Sequence, residues 1–395
     1  MRIGMILDKT FPPDPRVENE AIELIKSGHE VFLFCLTYDN ELLEELINGI
    51  SVKRYKSNKL EYKLSALAYT VPFYSLIMKK KIASFLSHNA IEAVHVHDIR
   101  IAEAVFKANK KYKLPIILDL HDNMPEVMKF YPHMQKFPGK YIISLKRWKK
   151  KEEEFVKQSD KVITVSQEFV NELKERIKVP EDKIVLVPNT IRRTFYEKYT
   201  ANERIKKKYE NKFVILYLGD THTRRGLLTA IEAVKEIRKE ITNLKLVIVG
   251  KNTTDTILKA KVKELKLEEN VDFEGWKDVS LFPSYIKISD ICISPLHRNI
   301  QHDVAYANKL FQYMSLGKPL LVSNAIAQKN LIKRVEAGLV HEEKNVADFT
   351  KKVLTLFKEE QLRERLGKNG ETFVRNEFTW DKTSKELINL YNSLN

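Results

Sequence analysis

The chain lacks the marks that would place it quickly in several common classes. Its 395 residues include two cysteines, Cys35 and Cys292, each set inside an apolar run, VFLFCL and ICIS. Lone thiols so far apart exclude a disulfide framework and a cysteine metal cage; they suit core packing in a reducing compartment. Long hydrophobic runs are missing as well. The longest uncharged stretch, Leu64–Met78, is 15 residues long and carries Pro72, too short to cross a bilayer but able to lie in its interface. The opening apolar run ends at Asp8 and reads as a first strand, not a secretory signal. No Walker sequence, no Gly-x-Gly-x-x-Gly and no Gly-x-Ser-x-Gly elbow occurs, so kinase, ATPase, dehydrogenase and serine hydrolase readings lack their patterns.

What is present is basic charge, and it is concentrated. The net charge is +15. Residues 51–151 carry 21 Lys and Arg against 7 Asp and Glu, whereas the first 50 residues carry 4 against 10. A patch of this kind calls for an anionic partner: phospholipid, polyphosphate or nucleic acid. No nucleic-acid-binding motif accompanies it, so nucleic acid is not expected. Two strings suit a headgroup boundary: Lys79-Lys80-Lys81 after the uncharged stretch, and Trp148 within Lys146-Arg147-Trp148-Lys149-Lys150-Lys151.

Strand and helix patterns alternate along the chain, the signature of a doubly wound parallel sheet. Strands are expected at Ile3–Leu7, Val31–Leu36, Ala93–Val96, Ile116–Leu118, Val162–Val165 and Ile184–Val187, with helices such as Val17–Ser27 between them. The polar stretch 191–211 interrupts the pattern, which restarts with Phe213–Leu218, Leu244–Val249, Val271–Phe273, Ile291–Ser294 and Leu320–Val322. A boundary therefore belongs near Thr190. Residues 379–394 read as a closing helix, and no internal repeat is evident.

Candidate residues cluster at strand ends. The proline-rich loop from Lys9 to Arg16 brings Asp14 and Arg16 to a helix N-terminus. His95-Val96-His97-Asp98 closes one strand; alternation puts both histidines on one face and leaves Asp98 at the mouth of the sheet. The next strand runs out into His121-Asp122. Beyond Leu218, the loop Gly219-Asp220-Thr221-His222-Thr223-Arg224-Arg225-Gly226 lets backbone approach a ligand, with two arginines beside a helix start, as a diphosphate requires. The segment from Pro295 to Tyr306 holds His297, Arg298, Gln301, His302 and Asp303. It leads into an amphipathic helix beginning Asn308-Lys309 and stopped by Gly317.

Taken together these segments resemble the retaining glycosyltransferases of family 4, of the bacterial and archaeal group 1 type. The resemblance runs almost end to end through PPDPRVENEAIELIKSGHEVFLF, VHVHD, DLHDNMPE, KVITVSQEF, KIVLVPNT, YLGDTHTRRGL, LVIVG, FEGWKDVSLFPSYIKISDICISPL, NKLFQYMSLGKP and a closing FTW. It implies an α/β GT-B architecture with two Rossmann-like parallel-sheet domains facing across a cleft. Residues 1–190 would bind the acceptor, 191–378 the nucleotide sugar, and 379–395 would return to the amino-terminal domain.

The resemblance further implies a nucleotide diphosphate sugar as donor and a glycan or lipid-linked acceptor. No cofactor and no metal would be needed, and the enzyme would work in the cytoplasm or on the cytoplasmic face of an anionic membrane. Arg225 fits the residue that holds the diphosphate, Arg224 serves as a second cation, and His121 matches the histidine that faces the reacting sugar. Gly219, Thr221, Asp303, Asn308, Lys309 and Gln312 belong to the donor side, with Gln312 at the ribose. Asp14, Arg16, His97, Asp98 and Asp122 belong to the acceptor side. Gln312 and Val304 stand where the family carries two glutamates, Asp220 where many relatives carry arginine, and Asn189-Thr190 where Asn-Gly is usual. These departures motivate an alternative, a catalytically impaired relative that binds sugar nucleotide or acts as a scaffold.

Overall fold

The computed structural model describes residues 1–137 and 139–394 and divides into two compact units. Met1–Pro188, together with the chain from Ser384 on, forms the first; Asn189–Thr383 forms the second. The closing segment expected at 379–394 is therefore split. Trp380–Thr383 is a short helix of the second unit, and Lys385–Asn392 a helix of the first. Asn395, with which the expected 379–395 domain ends, lies outside the described residues.

In the first unit the strands are β1 (Arg2–Ile6), β2 (Glu30–Thr37), β3 (Glu44–Ile47), β4 (Ile50–Lys56), β5 (Ala93–His97), β6 (Ile116–Leu120), β7 (Lys161–Thr164) and β8 (Ile184–Leu186). They form one sheet in the order β3-β4-β2-β1-β5-β6-β7-β8, parallel except for the antiparallel edge pair β3–β4. Every residue of β5 (AVHVH) and β6 (IILDL) is buried, as central parallel strands are when helices cover both faces. The helix Pro15–Lys26 starts where Asp14 accepts a hydrogen bond from the Val17 amide and Pro15 takes the first position. Its stripe Val17, Ala21 and Leu24 is buried.

The second unit contains β9 (Phe213–Leu218), β10 (Leu244–Val249), β11 (Val271–Gly275), β12 (Ile291–Ser294), β13 (Leu320–Ser323) and β14 (Gly338–His341), in the order β11-β10-β9-β12-β13-β14 with every pair parallel. Two hydrophobic cores flank this sheet, one centred on Ile231, Leu246 and Val353 and the other on Leu216, Phe311 and Met314. The polar stretch 191–211 holds two short helices, Thr194–Glu197 and Glu203–Lys208.

Two expectations about the basic region change. Trp148 is fully buried on the helix Leu145–Gln158, edge-on to Tyr69 at 4.7 Å, so it is a core residue and not a headgroup anchor. Leu64–Met78 buries Ala68, Tyr69, Tyr74 and Met78 and exposes only Phe73 and Leu76 among its large apolar side chains, so it does not lie flat in an interface as a whole. No helix among the described residues is long and apolar enough to cross a membrane.

Candidate functional site

In the first unit a polar centre forms where β5 and β6 end. The Arg16 guanidinium, buried on its helix, grips Asp119 with two hydrogen bonds at 3.0 and 2.8 Å. It also reaches Glu20 at 2.9 Å and the Val187 carbonyl at 3.0 Å. Arg16 was expected to face an acceptor; instead its donors are absorbed by the interior. Asp14, likewise expected there, caps the helix.

His95 and His97 stack at 4.4 Å, as alternation required, and His95 Nδ1 is hydrogen-bonded to the Tyr391 hydroxyl at 2.9 Å. His121 Nε2 lies 2.6 Å from Asp119 Oδ2 and 3.3 Å from His97 Nδ1. Burial opposes charge on His121, but Asp119 and then Asp98 outweigh it, and the imidazole is pushed up to about 9. Burial, with the Arg16 and His121 charges, holds His95 below the ordinary histidine range, and burial with its stacked neighbour holds His97 well below it. Of the three, His121 carries the proton.

Asp98 follows β5 with φ 65° and ψ 160°, a region that is nearly glycine-only. Its carboxylate is buried, 3.7 Å from Lys9 Nζ, and Oδ1 has no hydrogen-bond partner. Asp122 is half-buried just beyond His121. Glu20, His95, His97 and Asp119 bring ligand-type atoms within 4.8 Å of one another. The Arg16 cation already lies against both carboxylates, so this grouping is neutralised by the chain itself.

In the second unit β9, buried throughout, ends at Gly219 with φ +113°. The loop closes at Gly226, with φ +77°, where a Cβ would sit 1.7 Å from the Pro295 carbonyl oxygen. Only glycine satisfies both the left-handed backbone and that approach. The 14-residue helix Leu227–Glu240 then begins without a side-chain cap, leaving first-turn amides for a ligand.

Arg225 Nε donates to Asp220 Oδ2 at 3.2 Å, and Arg224 Nη2 lies 3.9 Å from the same atom. Arg224 Nη1 also donates to His302 Nε2 at 3.1 Å, while His302 Nδ1 is 2.7 Å from the His297 carbonyl oxygen. Burial, and then the two arginines, push His302 down to about 3, so it stays neutral and can accept from Arg224. Lys309 is buried with Nζ 3.5 Å above the Tyr217 ring and no hydrogen-bond partner. Burial and then Arg225 hold it well below the usual lysine range. A Cβ on Gly219 would come within 3.4 Å of that same Nζ, so the glycine leaves the ammonium open to the loop.

The other donor-side residues divide. Asn308 is exposed and Gln312 half-buried on the helix Asn308–Ser315, which no side chain caps. The Thr221 hydroxyl donates to Asp255 in the interior, leaving its backbone as what it offers a ligand. Asp303 pairs with Arg298 at 3.1 Å and accepts from the Ile326 amide at 2.9 Å, so its carboxylate organises the fold instead of facing a ligand. Val304 is buried.

Sequence reasoning passed over Glu20 and Asp119, which hold the first centre together. The signal was there: Arg16 and Glu20 are spaced i, i+4 beside the apolar stripe, so two charges had to be buried as a pair.

A family model described as Glycosyltransferase Family 4 matches residues 16–194, and one described as Glycosyl transferases group 1 matches residues 198–373. An uncharacterised glycosyltransferase of Methanocaldococcus jannaschii is 25% identical over 99% of this chain and 98% of its own. Sucrose-phosphate synthase from Thermosynechococcus elongatus superposes with a TM-score of 0.81 at 16% identity, covering 100% and 98% of the two chains. Anabaena HepE in complex with UDP-glucose gives 0.75 at 13% identity over 100% of both. Two matched halves in family order, on a fold shared end to end with GT-B glycosyltransferases, place this chain in glycosyltransferase family 4.

Proposed function

We propose that the protein transfers a sugar, with retention of configuration, from a nucleotide diphosphate sugar to a glycan or lipid-linked acceptor at the cytoplasmic face of a membrane. The observation that carries this reading is Lys309, a buried amine without a hydrogen-bond partner, whose helix brings it beside Gly219, the residue that opens the loop carrying Arg224 and Arg225. Burial of an amine with unspent donors is unfavourable, and an anion meeting it would both take those donors and favour its charged form. A diphosphate placed there would take hydrogen bonds from both arginines and from the first-turn amides, and the charge of the leaving group would be stabilised as it develops. With two arginines in place, and Lys309 taking up a proton as the diphosphate arrives, no divalent ion is required. The UDP-glucose bound by HepE is a donor of this class. In the first unit His121, protonated against Asp119, would hold a sugar hydroxyl, with Asp98 and Asp122 towards the acceptor.

The test is transfer from a panel of nucleotide sugars with excess EDTA, with product anomers read by NMR. Arg225→Ala should lose on the order of 10²-fold in rate with the fold retained. Wild-type turnover by that variant, or a strict metal requirement, would overturn the mechanism. Asp220 favours a second reading: it already pairs with both arginines and so competes with a diphosphate, which suits a subunit that binds nucleotide without turnover. Nucleotide binding without transfer to any acceptor in a membrane extract would select it.

A further inference from the structure

The first unit contains an apolar cavity of about 440 Å3 that the proposed chemistry does not use. Its floor is Met128, Ile143 and Trp148, all buried, and its rim includes the exposed Tyr62, Lys63 and His133. A void of this size has room for an apolar guest over Met128, Ile143 and Trp148, with polar groups only towards its rim and walls. Two walls point to what the guest carries. Arg100, held 3.5 Å from Asp8, contributes a cation. Tyr131 lies within electrostatic reach of Lys9, Asp98 and Asp122, so the cavity approaches the strand ends assigned above to the acceptor.

The surface around it fits the same guest. Near the wall residues Tyr131, His133, Gly139, Ile143 and Trp148 the chain exposes Phe137 (85%), Tyr141 (76%) and Ile142 (45%). Lys136, Lys140, Lys146 and Arg147 stand exposed among them. Exposed aromatics set between lysines suit the boundary of an anionic bilayer, where rings enter the acyl region and ammonium groups meet phosphates.

We propose that this cavity binds the hydrocarbon chain of a phosphate-bearing lipid drawn from that surface, its head group lying between Lys63, Arg100 and His133. The inference deepens the transferase reading, since it makes the acceptor a lipid-linked one, but the binding itself does not depend on transfer.

The experiment is calorimetric titration of the full chain with dodecyl phosphate below its micellar concentration, with inorganic phosphate and UDP titrated in parallel. Dodecyl phosphate should bind the wild type. Ala66→Trp, which fills the cavity from its wall, should weaken that binding at least tenfold and leave UDP binding unchanged. Lys63→Glu, an exposed rim change that cannot unfold the core, should weaken it severalfold. Failure of dodecyl phosphate to bind, equal binding by both variants, or equal competition by inorganic phosphate would each overturn the proposal. UDP binding without dodecyl phosphate binding sinks this inference and leaves the transferase reading standing; the reverse result supports the cavity and sinks the donor site.

Discussion

At the scale of single residues, strain and protonation gather at the same strand ends. Asp98 keeps a backbone conformation that costs about 1–3 kcal/mol for a residue with a side chain. Asp98→Gly should therefore raise stability by about 1 kcal/mol after the added freedom of the unfolded glycine is counted. Asp98→Ala, which keeps the strain, should not. Urea denaturation of the two variants checks this, and equal stabilities would remove strain from the account. His121 gives a pH signature. Its folded value, about 9, lies above the unfolded 6.5, so its contribution is complete below about pH 6.5 and fades as pH rises through 9. Wild type should lose up to about 3 kcal/mol between pH 6 and 10 relative to its own maximum, while His121→Gln shows a flatter profile over that window. Parallel profiles would mean the Asp119 pair contributes nothing.

At the scale of elements, the loop from Gly219 to Gly226 depends on its last residue. Gly226→Ala would force a Cβ onto the Pro295 carbonyl in a left-handed backbone, so the loop must shift. Nucleotide binding should fall at least tenfold, measured by titration, with circular dichroism unchanged; wild-type affinity would show that the loop tolerates rearrangement. Such glycines were legible because both sit where a strand hands over to a helix. Most strands were legible too, since runs such as FVILYL are apolar throughout and only central parallel strands tolerate that. The edge was not. β4, ISVKRYK, alternates buried and half-buried residues, but Lys53 and Arg54 hide the alternation, because Arg54 folds inward onto the Phe11 and Leu42 carbonyls. β14, Gly-Leu-Val-His, is too short for a period of two to show. The membrane reading of Trp148 failed because neighbouring lysines say nothing about which face of a helix is buried. Charges every residue around it mask an inward stripe of Trp148, Glu152, Phe155 and Val156.

At the scale of the whole molecule, each unit has its own sheet and core, and the first is assembled from both ends of the chain. Tyr391 and Leu387 are fully buried there, and the Tyr391 hydroxyl partners His95 Nδ1. A chain ended after Thr383 should therefore lose stability in the first unit by several kcal/mol through the loss of buried apolar area and that hydrogen bond. The second unit should unfold as before. Calorimetry with UDP present marks the second transition by its shift to higher temperature. Equal loss in both transitions would contradict the division into units.

That division has a consequence for how the protein is made. Chains emerge from the ribosome amino terminus first, and domains usually fold in that order. Here the unit that begins first finishes last. Residues 189–383 can complete their fold while the first 188 still wait for the segment from Ser384 on, which is synthesised later. A premature stop at codon 384 would thus spare the half nearest to it and damage the half translated earliest.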